Sequence, residues 1–513
     1  MRRFALLLAA GTLLALAAPA VAQLKTPPDP PPPTAGGLLN LDASTILKEI
    51  GRLSPYQAPN LPLKTDQGYA HTVKELEPFR HVEPFKTHFR EQMEYTGAGR
   101  TIPEPAADAL KSVKIGFIGP LYPTVSVATG GGKSHEAVLG QKMFQGSTLA
   151  IEEANARGGY APRSIPYELV VSNDNGLWGS SGNEITKLAY RDKVWAILGT
   201  IDGANSHIAI RVALKCELFM MNTGDTDPTF IETNIPWVGR NLGDDRQMNY
   251  LLIDYMYRKL GLKRVGIIRA SNRYGRFGVR EIHDGSRRLE HPIVFEMAYK
   301  VGQPSFEMEV DRLKSARLDA VVFWGDAPEG AAILNRMREV GMTQPFLTCD
   351  RCVSDEFVSI AGPNAEGVVA AFPWNPDRDD PALVAFKERF RARFGEEAET
   401  YAAHAYDGMN MIIWAIEQGG LNRAKIRDLI AYRSEPWHGV TGEIPLSSVI
   451  DDIGEVFLAR REGGRWHFQN RQELGIPRDT SGVTLPGATC PDVGQPKDEA
   501  TGAPTSAAAT SQP

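Results

Sequence analysis

The 513 residues are 42% hydrophobic and 23% charged, an ordinary globular composition at a length that supports two or three folding units. A formal net charge of -6 excludes the basic footprint of a nucleic-acid binder and a polybasic membrane-facing surface.

In chain order, Arg2 and Arg3 precede an apolar run over residues 4–18 and then Ala20-Val21-Ala22. That is the pattern of a signal peptide, residues 1–22, cleaved so that the mature chain starts at Gln23. The run is too short for a stable span, so periplasmic location without direct membrane insertion after cleavage is expected. Residues 26–34 read TPPDPPPPT, a spacer with no packing face. Residues 23–110 are read as a Pro-rich N-terminal arm that docks on the main body. Residues 477–513, rich in Thr, Ser, Ala, Gly and Pro, have the composition of a disordered tail.

Between these ends, short apolar runs alternate with helical stripes. Runs at 113–118, 167–171, 194–198 and 218–221 read as strands. Phe144, Ser147, Ile151 and Ala154 share one helical face, and a further helix is expected from about Ser206. Later, Asp244 and Asp245 offer N-cap chemistry. Met248, Leu251, Leu252, Tyr255 and Met256 follow helical spacing up to Gly261. Strands at 265–268 and 320–324 alternate with stripes at 306–313 and 333–340. Such alternation predicts an α/β fold of parallel sheets covered on both faces. Its length exceeds one core, so two doubly wound lobes are expected.

In open parallel sheets, ligands bind beyond the carboxyl ends of the strands. The residues there are Gly203 and Ala204; Gly224 and Thr226; Tyr274; Asp326; and Asp350. Gly203 and Gly224 would admit a ligand carboxylate to backbone N–H groups, and Thr226 would add a hydroxyl. Tyr274 would cover the ligand, and Asp326 and Asp350 would accept from an ammonium. Each residue alone also reads as a turn former or cap.

Cys216, Cys349, Cys352 and Cys490 allow three full pairings. The Cys349–Cys352 spacing suits a local disulfide, free thiols or redox work. It does not suit structural zinc, which needs four ligands. His207 and His404 are isolated, and no metal, cofactor or catalytic residue is expected. Trp178, Asp225, Asp227, Arg240, Asp244, Asp245 and Arg246 gather near loop ends, where an Arg–Asp pair is read as a staple.

From about residue 113 to 468 an ordered series of segments resembles the type I periplasmic binding proteins of the leucine/isoleucine/valine-binding family, which serve ABC importers. The segments are KIGFIGPL (114–121), GSTLAIEEANARGG (146–159), VWAILGTIDG (194–203), RVGIIRASNRYG (264–275), NAEGVVAAFP (364–373), AHAYDGMNMI (403–412) and VTGEI (440–444). The resemblance implies two lobes joined by three hinge strands. Lobe 1 would comprise residues 111–241 plus 375–450, and lobe 2 residues 242–374 plus 451–470. It implies a receptor, not an enzyme, that closes on an amino acid or related carboxylate and hands it to a membrane ABC permease. It also implies a ligand ammonium at Asp350 and a carboxylate at the Gly203 and Thr226 loops. The chain departs from the family at Gly203, where Ser or Thr is usual. It departs at Asp202, where a disulfide partner would stand. It departs again in a long loop over 122–140, whose Gly132-Lys133-Ser134 lacks the first glycine of a phosphate loop because Val127 stands there. Three other outputs fit the same pattern: a ligand-presenting sensor subunit, a protein-interaction scaffold with a vestigial cleft, or an enzyme using the paired cysteines.

Overall fold

The computed structural model describes residue 95 and residues 97–476, apart from positions 107, 123–134, 234, 434 and 448. The signal peptide, residues 23–94 of the arm, the Gly-Lys-Ser segment and the tail with Cys490 lie outside the described residues.

Strands β1 (Val113–Gly119), β2 (Tyr167–Asn173), β3 (Ile197–Leu198), β4 (Met220–Asn222) and β5 (Val238–Arg240) form one sheet in the order β2-β1-β3-β4-β5. Every pairing in it is parallel. Ile115, Phe117, Ile197, Leu198 and Met220 are fully buried, as a sheet covered on both faces requires. Helices α1 (His135–Ala156), α2 (Trp178–Thr186), α3 (Gly203–Lys215) and α4 (Thr229–Glu232) belong to this lobe.

The chain then crosses over through α5 (Asp245–Asp254) into a second sheet. Strands β6 (Val265–Ala270), β7 (Phe295–Tyr299), β8 (Ala320–Trp324), β9 (Phe346–Thr348) and β10 (Val369–Phe372) pair in parallel. All five residues of β8 are buried, which explains its unbroken apolar run. Helices α6 (Arg273–Gly278), α7 (Arg280–Arg288), α8 (Glu307–Ser315), α9 (Ala327–Glu339) and α10 (Asp355–Ala361) link these strands.

After β10 the chain returns to the first lobe for α11 (Pro381–Phe394), α12 (Thr400–Gly419) and α13 (Arg423–Ala431). A short hairpin follows, β11 (Trp437–Gly439) and β12 (Gly442–Ile444). A third crossing leads to β13 (Phe457–Glu462) and β14 (Arg465–Gln469), which add to β10 in antiparallel fashion. The second sheet is therefore mixed, in the order β14-β13-β10-β9-β8-β6-β7. The parallel reading holds for its βαβ portion. The two final strands are joined by a tight Gly463-Gly464 turn, which only an antiparallel pair permits.

Two boundaries differ from the sequence reading. Helix α1 starts at His135, inside the expected 122–140 loop, and α3 starts at Gly203 because Asp202 caps it by accepting from Ala204 N at 2.8 Å. Helix α1 packs closely on α12, and a Cβ at Gly146 would lie 2.0 Å from Ala402 O. That position needs glycine for backbone approach.

The described end of the arm docks on the first lobe alone. Tyr95 packs edge-on against Trp237 at 4.9 Å between centroids and donates to Glu217 at 2.7 Å. Arg100 is buried and forks onto Asp428 at 2.6 and 3.0 Å. Asn422 donates to Gly99 O and Ile102 O, and Arg163 holds Glu104 and Pro105.

Candidate functional site

All seven residues expected to bind ligand lie on the segments that follow the carboxyl ends of β3, β4, β6, β8 and β9, and two contacts from these segments cross between the lobes, Arg273 to Asp227 and Tyr401 to Asp350. Asp350 opens a short 3-10 turn after β9. Its carboxylate accepts from Tyr274 Oη at 2.7 Å and from Tyr401 Oη at 2.9 Å. Tyr274 comes from α6 of the same lobe, whereas Tyr401 comes from α12 of the other. Asp350 is thus committed to two tyrosine hydroxyls, one across the cleft. Burial and the Asp350 charge push both tyrosines well above the ordinary phenol value.

Next to Asp350, Arg351 stacks its guanidinium on the Tyr274 ring at 3.6 Å and pairs with Asp326 at 2.7 Å. Asp326, expected to face an ammonium, is therefore paired within its own lobe. Its Arg partner also holds Tyr274 flat.

On the facing lobe, the expected backbone donors are largely spoken for. Asp202 takes Ala204 N, and Asn222 Oδ1 takes Gly224 N at 3.0 Å and Asp225 N at 2.8 Å. Gly203 sits against an ion pair that crosses the cleft: a Cβ there would lie 2.3 Å from Asp227 Oδ2 and 2.8 Å from Arg273 Nε. Arg273 donates to Asp227 at 2.7 Å and to Thr229 Oγ1 at 2.7 Å. Arg280 reaches Glu232 at 3.0 Å. The absence of a side chain at Gly203 leaves room for this inter-lobe pair, a role that the residue's place in the loop does not disclose.

One carboxylate is left without company. Asp245, the first residue of α5, is buried, and neither of its oxygens has a hydrogen-bond partner among the described residues. Its own N–H donates to Thr226 O at 2.9 Å. Thr226 Oγ1, Thr223 Oγ1 and Asp225 Oδ2 are likewise buried and unpartnered. Burial, then the nearby Asp350, pushes Asp245 well above the usual carboxylate range; burial and Asp227 push Asp225 up to about 7. A buried carboxylate with no donor is costly, and a cluster of such groups calls for a cationic or hydrogen-bonding occupant. The sequence placed Asp245 only in a loop-end cluster with cap chemistry, and the cap proves to be Asp244, which accepts from Gln247 N at 2.9 Å. Tyr401 carried no local signal, since its contact lies 51 residues away.

Behind the cleft, Arg240 clamps two of the three crossings. It forks onto Asp451 at 2.7 and 3.1 Å, reaches Asp244 at 3.2 Å and donates to Asp225 O and Asp227 O. Backbone bonds reinforce it, Arg240 N to Ile450 O at 2.8 Å and Asp452 N to Arg240 O at 3.0 Å. Trp178 of the same sequence cluster instead lies exposed at the start of α2. No group of three or more His, Cys, Asp or Glu among the described residues is placed to hold a metal. No helix among them is long and apolar enough to cross a membrane.

Two α/β lobes, three crossings and a polar cleft between strand carboxyl ends define a two-lobed solute receptor. Residues 112–447 match the family model described as periplasmic binding protein, and the chain belongs to that family. A Leu/Ile/Val-binding protein homolog of Brucella abortus is 26% identical over 310 residues, 60% of this chain and 82% of that one. An amino acid binding protein of Pseudomonas aeruginosa is 28% identical over 320 residues, 61% of this chain and 80% of that one. The isoleucine complex of a branched-chain amino acid transporter substrate-binding protein from Streptococcus pneumoniae superposes with a TM-score of 0.63 at 21% identity, covering 70% of this chain and all of that one. A Rhodopseudomonas palustris solute-binding protein in complex with benzoate gives 0.61 at 17% identity, covering 70% and 96%. The fold is thus that of the type I periplasmic binding proteins, which act as extracytoplasmic receptors for solutes.

Proposed function

We propose that this protein is exported by residues 1–22, closes on an amino acid or a related ammonium-bearing carboxylate, and delivers it to a membrane ABC permease. The observation that carries the ligand class is Asp245, a buried carboxylate with both oxygens unpartnered in the cleft. A ligand ammonium seated there restores the missing hydrogen bonds and neutralises the charge that burial penalises. Asp350, oriented by Tyr274 and Tyr401, faces the same ammonium; Thr226, with the loops at Gly203 and Gly224, receives the carboxylate. Asp326 acts through Arg351, keeping Tyr274 in place beneath the ligand. The relatives named for leucine, isoleucine, valine and amino acids support the same class. A ligand touching both lobes favours closure by its extra contacts in that state. The polar groups of the cleft are accounted for by binding, and the proposed role includes no catalysis.

A thermal-shift screen of the refolded mature protein tests this reading. The panel holds amino acids, short carboxylates, aromatic acids and polyamines. The expected result is a midpoint that rises with the concentration of one amino-acid class. A rise with benzoate-like acids alone, or no rise at all from a cooperatively folding sample, would overturn the ammonium assignment.

A further inference from the structure

Cys349 and Cys352 bracket the Asp350-Arg351 turn, and the fold stacks them. Cys349 is the extended N-cap of a 3-10 turn over Asp350–Cys352, and the bond from Cys352 N to Cys349 O at 3.2 Å closes a four-residue turn that brings its two ends together. Residues so spaced fall within the Cα separation that a disulfide accepts. Both are free thiols, and both are fully buried. Cys349 Sγ also points at Gly325 O, at 3.2 Å.

We infer that Cys349 and Cys352 are a reversible dithiol–disulfide pair whose oxidation reshapes the Asp350-Arg351 turn and so uncouples Asp350 from Tyr401. The two residues between the sulfurs carry the contacts that hold the cleft together: Asp350 to Tyr274 and Tyr401, and Arg351 to Asp326 and the Tyr274 ring. Tying the ends of a four-residue turn through their side chains changes its backbone torsions, and Asp350 has no freedom to follow without leaving one of its tyrosines. The thiols are also prepared for exchange. Burial opposes ionisation of Cys349, but donation from Cys352 leaves it below the ordinary thiol value, while burial pushes Cys352 well above. Either sulfur can open the exchange, and the steps balance identically from Cys349 or Cys352.

The chemistry is ordinary exchange with a disulfide oxidant, either a small-molecule disulfide or an oxidised protein thiol. The Cys349 thiolate attacks one oxidant sulfur, forming a mixed disulfide and expelling the first thiolate. Cys352 then loses its proton and attacks Cys349 Sγ, expelling the second. Two protein thiols are oxidised to one disulfide, the oxidant disulfide is reduced to two thiols, and the two protons end on those leaving thiols. Because both sulfurs lie in the second lobe's own core, exchange proceeds through local opening of the Asp350-Arg351 turn.

The test uses the full mature chain carrying Cys216→Ser and Cys490→Ser, treated with oxidised glutathione. Mass spectrometry of a thiol-blocked digest reads the bond, and hydrogen exchange reads the segment around residues 400–406. The expected result is loss of two hydrogens from the peptide spanning residues 349–352, with exchange at 400–406 faster by severalfold and restored by dithiothreitol. A control that also carries Cys349→Ser and Cys352→Ser shows no response to oxidant. Two results would overturn the inference. The pair stays reduced in the native protein under conditions that oxidise it in denaturant, or the bond forms while exchange at 400–406 is unchanged. No ligand is added, so failure here is separate from failure of the amino-acid assignment.

Discussion

Tyr401 donates its hydroxyl across the cleft to Asp350 at 2.9 Å, so one helix of the first lobe reaches the turn after β9 in the second. Asp350 and Tyr401 are both buried, and hydrogen bonds to charged groups contribute about 1.5–3 kcal/mol when desolvated. Tyr401→Phe is expected to lower the thermal midpoint by several degrees and to weaken binding of the cognate ligand at least tenfold. Calorimetry of unfolding and of ligand titration reads both.

Asp245→Asn is expected to separate folding from binding. The substitution keeps a neutral polar group of the same shape while removing the carboxylate that would face an ammonium, so the ligand-free protein folds as before, while the ligand-induced rise in midpoint disappears. A variant that loses stability and keeps its ligand response would contradict the assignment of Asp245 to the ammonium.

Asp452 supplies a pH dependence. It lies at the third crossing, where Gly454 N donates to it at 2.7 Å, and burial drives its value up to about 8. A carboxyl whose folded value is raised keeps its proton while the unfolded chain loses one. The stability it contributes is fully present below the unfolded value of about 4 and is lost as pH rises toward about 8. Chemical denaturation between pH 5 and 8 should therefore show declining stability, and Asp452→Asn should flatten that slope.

The Asp227–Arg273 pair makes a steric prediction. Gly203→Ala places a methyl group on the pair, and Arg273→Ala removes it without crowding. Partly exposed ion pairs hold about 0–1 kcal/mol, so neither change should unfold the protein. Each should shift the ligand-free population toward parted lobes, seen as a larger radius of gyration in solution scattering.

Arg100 tests the arm. Its fork onto Asp428 is buried, and Asp428 keeps Arg427 at 2.8 Å when Arg100 is removed, so the loss is that of buried hydrogen bonds to a charged group, about 1.5–3 kcal/mol. Arg100→Ala should lower the midpoint markedly without altering ligand affinity, since the contact lies on the first lobe away from the cleft.

The strand–helix alternation was legible because buried parallel strands such as β8 leave an unbroken apolar signature and helices announce their caps, as Asp244 does. The stripe from Met248 ended as expected near Gly261, which adopts a φ of +65°. The Arg–Asp staple was legible as chemistry, but its partner, Asp451, lies 211 positions from Arg240 and emerges only from the crossing geometry. The same limit hid the site's connections. Gly203 reads as a loop glycine until Arg273 arrives from the other lobe, and Asp350 reads as a free acceptor until two tyrosines arrive from 76 and 51 positions away. Local patterns encode elements and caps; a cleft is built from pairs that meet only after both lobes have folded.

The docking of Tyr95 and residues 97–106 has a mechanical corollary. All of its described partners, Trp237, Glu217, Arg163, Asn422 and Asp428, belong to one lobe. The anchor made by Tyr95 and Arg100 therefore travels with that lobe, and the opening and shutting of the receptor leaves its contacts intact.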